Sequence, residues 1–174
     1  MLLLASCAYR LGSPDRGLPG GYRQVYIPMF KNLSQEPGIE VAFTNALIQE
    51  FERAKIARVT DAAQAEVIVE ASIEKAQTSP SGDFVDESLP TGVLTADSYS
   101  IDVGVVITLK RSSDRSILWR SSFVGNKGFS SSKVTVAGVN SVNPLYNLSA
   151  KRQNIDQLAA TMMSEAHDRM TENF

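Results

Sequence analysis

Few residues in this chain are able to do chemistry. Among its 174 residues there is one cysteine, Cys7, and one histidine, His167. A lone thiol closes no internal disulfide, and one Cys with one His cannot build the usual Cys/His zinc sets. A Ser-His-acid triad would have to run through His167. That residue sits in a strongly helical stretch beside Glu165, Asp168 and Arg169, a pattern that predicts a solvated side chain on a helix surface. Gly17, Gly20 and Gly21 cluster, but no predicted strand leads into them and no helix follows directly, so they make no phosphate loop. The sequence therefore predicts no catalytic residue, no metal site and no cofactor. The remaining candidate is Cys7 itself. Leu4-Ala5-Ser6-Cys7 matches a bacterial lipobox, in which small residues fit the lipoprotein signal peptidase and the thiol receives diacylglycerol. A secretory signal carries a basic n-region and an apolar core of about 7–15 residues. Only six residues precede Cys7 and none is basic, which places the expected start upstream of Met1. Residues 1–6 are read as a signal-peptide remnant. Residues 7–21, rich in Gly, Pro and Ser, are read as a flexible tether.

The elements that must carry any site lie beyond that tether, and residues 22–174 are expected to form one domain. Hydrophobic residues make up 43% of the chain and charged residues 21%, which is ordinary for a globular protein. A net charge of −2 argues against a nucleic-acid binder. Tyr22 to Ala54 reads as strand, turn and amphipathic helix. Val25 and Ile27 alternate with polar neighbours, and Pro28 ends the ladder because it has no N–H to donate. Ile39, Ala42, Phe43, Ala46, Leu47, Phe51 and Ala54 then recur at helical spacing, with Glu40, Thr44, Gln49, Glu52 and Arg53 opposite.

Period-two alternation marks the middle of the chain. A short strand is expected at 57–60. Val67, Val69, Ala71 and Ile73 predict a half-buried strand, and Tyr99, Ile101, Val103, Val105, Ile107 and Leu109 predict the strongest one. Ile117, Trp119, Ser121 and Phe123 predict its antiparallel partner, with Trp119 in the core and the pattern fading after Lys127. Two stretches, 77–97 and 128–148, hold Pro, Gly, Ser and Asn and are read as long loops. From Ser149, a candidate N-cap, the helical period returns through Ile155, Leu158, Ala159, Met162, Ala166, Arg169 and Met170. One-faced strands and two amphipathic helices predict an α+β two-layer sandwich: a mixed sheet of about four strands with both helices on one face.

Specific strings add to this pattern. Ile27-Pro28-x-Phe30-x-Asn32, then Glu36-Pro37-Gly38-Ile39-Glu40, then Thr44-Asn45-Ala46-Leu47-Ile48-x-Glu50-Phe51, following a lipobox, resemble the LPS-assembly lipoproteins of the LptE family. Cys7-Ala8-Tyr9 differs at one position from the family's frequent Cys-Gly-Tyr opening. The resemblance implies the same sandwich fold and a periplasm-facing location, anchored in the outer membrane through Cys7. It implies an LptD-like β-barrel as partner, which the protein plugs and helps assemble, and lipopolysaccharide as ligand, bound without catalysis. Ala150-Lys151 matches the position of a basic family contact to LPS, which makes Lys151 and its neighbour Arg152 candidate ligand-binding residues. The family's second basic contact lies in the loop between the two middle strands. Here that stretch, Gln77 to Asp97, has no Arg or Lys. Lys127 and Lys133 are the expected substitutes where the fold brings them to the same end. The alternative is another periplasmic lipoprotein of similar fold, such as a peptidoglycan-synthase activator or a secretion-pore accessory protein.

A single acyl chain holds a protein to a membrane only marginally, so stable anchoring takes several. Mass spectrometry of the native protein, expressed from an upstream start, is expected to show Cys7 acylated as the first residue. An unmodified Cys7 inside a retained N-terminus is the contrary result.

Overall fold

The computed structural model describes residues 16–84, 95–130, 133–136, 139–142 and 144–172. Cys7 and most of the tether lie outside them. The order is β1 (Gln24–Tyr26), β2 (Lys31–Asn32), α1 (Ile39–Ala54), β3 (Arg58–Val59), β4 (Val67–Phe84), β5 (Thr95–Arg111), β6 (Ile117–Ser130), β7 (Lys133–Val136), β8 (Val139–Val142) and α2 (Pro144–Thr171). The main sheet has six strands, rather than about four, in the order β3-β1-β4-β5-β6, with β2 also paired to β4. β1 runs parallel to β3 and β4, and β4, β5 and β6 form an antiparallel meander, so the sheet is mixed as expected. β7 and β8 pair separately.

One apolar layer lies between this sheet and the helices. Val25, Val67, Val69, Ile73, Ile101, Val103, Val105, Ile107 and Leu109 are buried against Ile39, Phe43, Leu47 and Phe51 of α1 and Leu158, Ala159, Met162, Met163, Ala166 and Met170 of α2. α1 has the predicted bounds. Gly38 precedes it at φ 82°, a left-handed conformation that glycine adopts without a Cβ clash. Lys55, at φ 56°, ends it and donates its N–H to Phe51 O at 3.0 Å. Thr44, assigned from its polarity to the outer face, is instead buried. Its hydroxyl accepts Phe30 N–H at 3.0 Å and donates to Glu40 O at 2.6 Å, so its burial leaves no polar group orphaned.

The two helices run parallel. Glu36 before α1 meets Lys151, and Glu50 and Phe51 near its end meet Ser164 and His167. α2 also crosses β6 closely. A methyl group on Gly125 would lie 2.4 Å from Met162 Sδ and 2.8 Å from Leu158 Cδ1, so a larger residue there requires these side chains to shift.

The expected loops are largely strand. β4 and β5 continue into 77–84 and 95–97, where Pro80 and Gly82 sit at register shifts instead of ending the ladder. Beyond Ile73 no described strand pairs with the far side of β4, so Pro80 withdraws no ladder bond there. A further bulge at Ile73/Lys75 switches which residues face the helices, so Ala76 continues the core instead of Lys75. Similarly, 128–148 holds the end of β6, the β7–β8 pair and the first residues of α2. The helix begins at Pro144, whose fixed φ suits a first turn, and Ser149 is inside the helix and not its cap. On β6 a register shift beside Leu109 turns Ile117 outward, 57% exposed, while Leu118 and Trp119, both half-buried, pack against the core.

Ile107 is fully buried and its neighbour Thr108 faces the uncovered side. Ile107→Ala is expected to cost roughly 2–5 kcal/mol in equilibrium unfolding, through lost burial and a cavity. Thr108→Ala is expected to stay within about 0.5–1 kcal/mol of the native protein. Equal losses would contradict the facing described here.

Candidate functional site

The site begins with a turn whose organiser is Asn32. Its amide donates to Glu36 O at 2.7 Å and to Glu40 Oε2 at 2.8 Å. Its carbonyl accepts Ser34 N–H at 2.9 Å and the Ser34 hydroxyl at 2.6 Å. This fixes residues 32–40 and aims Glu36 at α2. There Lys151 Nζ meets Glu36 Oε2 at 2.5 Å, with both side chains about three-quarters buried. Lys151, one of the predicted basic residues, is therefore engaged within the fold across 115 positions of sequence. Arg152 is exposed and forms no ion pair among the described residues.

Around this pair lies a groove of about 450 Å³ between the start of α1 and the first half of α2. Val41, Ala42 and Ile155 contribute apolar lining, and Glu36, Asn45 and Asp156 contribute polar lining. Lys151, Arg152 and exposed Leu148 stand at its rim. A groove of mixed lining, with Lys151 and Arg152 set against the carboxylates of Glu36 and Asp156, offers both apolar surface and cations to an anionic amphiphile.

Of the two expected substitutes, Lys127 lies on the helix-covered face of β6, opposite Ile101 of β5. Along β6, Phe123 lies under Arg169 and Gly125 under Leu158 and Met162. Lys127 is two residues further on, toward the first turns of α2. The fold thus places Lys127, Lys151 and Arg152 at one end of the domain. Lys133 stands on β7 opposite Val142, and its side chain lies outside the described residues.

The opposite end receives the chain from the tether. Leu18 is buried, Gly17 N–H reaches Thr171 O at 3.3 Å, and Arg16 pairs with Asp168 at 3.4 Å. From Lys151 to Thr171 the helix rises roughly 30 Å at about 1.5 Å per residue. The tether and the cations are separated by that length.

His167 belongs to the core and not to a solvated surface, the reverse of the sequence expectation. It is 1% exposed, edge-on to Phe51 at 4.8 Å, and neither ring nitrogen has a hydrogen-bond partner. Asp168 Oδ1 lies 3.8 Å from Nδ1, beyond hydrogen-bond reach. Burial pushes the imidazole below its ordinary range, opposed by the nearby carboxylates of Glu50 and Asp168. The helical pattern gave no cue to this, because α1 packing on α2 decides it. Among the described residues no group of His, Cys, Asp and Glu could hold a metal ion, and no helix is long and apolar enough to cross a membrane.

A family model described as "LptE: Lipopolysaccharide-assembly" matches residues 22–173. No curated protein is matched by sequence. Among solved structures, similarity extends to the PelC dodecamer of Paraburkholderia phytofirmans, at 12% identity over 90% of this chain and 91% of that one with a TM-score of 0.52. It extends also to a Xanthomonas campestris protein, at 10% identity over 91% and 89% with a TM-score of 0.56. An uncharacterised lipoprotein B from Nitrosomonas europaea matches at 12% identity over 94% and 90% with a TM-score of 0.52. At such identity these three share the fold.

The state of His167 gives a pH prediction. The folded chain keeps the ring neutral, whereas the unfolded chain protonates it near pH 6.5. Its contribution is therefore complete above about pH 6.5 and is lost as pH falls from there through the lower folded value. Thermal unfolding between pH 7.5 and 5 is expected to show a falling Tm that His167→Leu flattens. An unchanged slope in the variant would show that the ring does not carry it.

Proposed function

This chain belongs to the LptE family of lipopolysaccharide-assembly proteins, and from that premise we propose that it plugs an outer-membrane β-barrel of the LptD type and presents a lipopolysaccharide contact inside it. The family places the chain among outer-membrane lipoproteins of LPS assembly. The barrel partnership, the anchor at Cys7 and the LPS contact are the further steps of this reading.

The observation that carries the proposal is the separation of the two ends. The tether enters beside Thr171, and the groove with Lys151 and Arg152 opens at the far end of the helices. An anchor at Cys7 would then hold one end at the inner leaflet and direct the groove away from it. Along the same axis β4 has 18 residues, about 60 Å at roughly 3.3 Å per residue. That length exceeds the ~30 Å hydrocarbon layer that a barrel crosses.

At the groove the chemistry is binding and not turnover. Arg152 offers a guanidinium for bidentate pairing with a phosphate. Lys151 is held by Glu36, so an arriving phosphate must compete with that carboxylate. Lys127 supplies a further cation at the same end, in place of the one missing from residues 77–97.

The test measures LPS binding by the purified domain, with circular dichroism to verify folding. Arg152→Asp is expected to weaken binding about tenfold, the scale of losing one charge-assisted contact. Glu36→Gln, which releases Lys151, is expected to strengthen it. Unchanged binding and salt dependence in both variants would remove the LPS contact and leave the plug role, which copurification with the barrel tests separately.

A further inference from the structure

The three open edges of the main sheet are unlike one another. β3 ends one side with two residues, too short to template a strand. The far side of β4 beyond Ile73 carries Lys75 and Pro80 and is broken by register shifts at Ile73/Lys75, Pro80/Gly82 and Gly82/Asp83. Charge, proline and bulges are the devices that blunt an edge. Of these, β6 has only charge, in Arg120 and Lys127. From Trp119 to Ser130 it pairs with β5 without a shift and contains no proline. Among the described residues nothing pairs with its outer side. That leaves about 40 Å of regular backbone whose alternate N–H and C=O groups point outward.

The side chains along this edge specify what would lie there. Val124 faces the uncovered side of the sheet and is 86% exposed, the most exposed large apolar residue among those described. Arg120 is on the same face, and neither it nor Lys127 has an ion pair among the described residues. On β5, by contrast, Lys110 shares Glu70 with Arg115 of the following turn and Arg111 pairs with Asp114, while Lys31, Arg58 and Lys75 have no ion pair among the described residues. β6 itself contains no Asp or Glu. A second copy pairing edge to edge would bring two cationic strands together and satisfy neither charge. Antiparallel register about Val124 would place Gly128 opposite Arg120, and register about Phe123 would place Asn126 there. An acidic strand from another protein meets all three needs: backbone pairing, an apolar neighbour for Val124 and a carboxylate for Arg120.

We propose that the outer edge of β6 receives an extended acidic segment of the barrel partner, which adds a strand to this sheet. The assignment rests on the barrel-plug reading above. A closed barrel has no free strand edge in its wall, so the segment comes from a loop folded into the lumen.

The experiment uses the full-length protein copurified with its barrel. A photo-crosslinking amino acid replaces Val124 or Ser122 beside the edge, and Ala62 or Gln153 at distant exposed positions. The expected result is a crosslink from 124 and 122 to a barrel loop rich in Asp and Glu, identified by mass spectrometry. Arg120→Glu is expected to weaken the complex about tenfold, with Arg120→Lys close to native. A complex of normal strength that crosslinks only through 62 or 153 overturns the edge assignment and leaves the plug reading intact. A crosslink from 124 to a second copy of this chain overturns it in favour of self-association. If no complex with the barrel forms at all, the plug reading fails and this assignment falls with it.

Discussion

Everything in this domain depends on covering one face of a long sheet with only two helices. The sheet presents a continuous apolar surface from Val67 and Leu109 to Ile101. α1, at 16 residues, reaches only part of it, and α2, at 28, covers the remainder. The helices must therefore lie side by side and share their inner surface, which is where Phe51 and His167 meet. The cover is close enough that a side chain at Gly125 would have to displace the ends of Leu158 and Met162. Where α1 begins, β4 takes a bulge and changes which residues point inward. The bulge keeps apolar residues beneath the helices without requiring strict alternation over all 18 residues of the strand.

Polar groups near this layer are disposed according to what each can satisfy. Thr44 is buried because Phe30 N–H and Glu40 O answer its hydroxyl. Glu66, at the sheet's base, accepts the N–H groups of Arg23 and Gln24 at 2.8 and 3.0 Å and fixes where β1 starts. Glu70 takes a 2.7 Å bond from Lys110, which holds its carboxyl below the usual range against the opposing effect of burial. His167 is the exception, with two unanswered nitrogens, and it remains in the core because a neutral imidazole costs far less to bury than an ion.

Periodicity made much of this legible in advance. α1 carries its own punctuation in Gly38 and a clean 3.6-residue period, so its bounds follow from local information. The strands from Val67 to Ile73 and from Tyr99 to Leu109 alternate without interruption, and they are where expected. The misses share a cause. Pro80, Gly82 and Pro144 are breakers in isolation, but a bulged, one-sided strand accepts the first two and a helix's first turn accepts the third. The burial of His167 and the capture of Lys151 by Glu36 depend on which helix lies beside which, and no local pattern encodes that. At the candidate site, the identity of the cations could be read from sequence and their partners could not. Asn32 could have been flagged, since Asn-x-Ser in a turn is suited to bonding its own backbone.

The parallel course of the two helices has an electrostatic consequence of its own. Each peptide unit carries a dipole along the helix axis, and an isolated helix behaves as roughly half a positive charge at its N-terminus and half a negative charge at its C-terminus. Antiparallel neighbours cancel these fields, whereas α1 and α2 add theirs. The two positive poles lie toward the end with the Glu36–Lys151 pair, and the two negative poles lie toward the end where Arg16 meets Asp168 and the chain arrives from its tether. The domain is thus polarised along its length by backbone alone. Such a field survives substitution of any single lysine or arginine, and at low ionic strength it favours an anion at the far end and a cation at the near one.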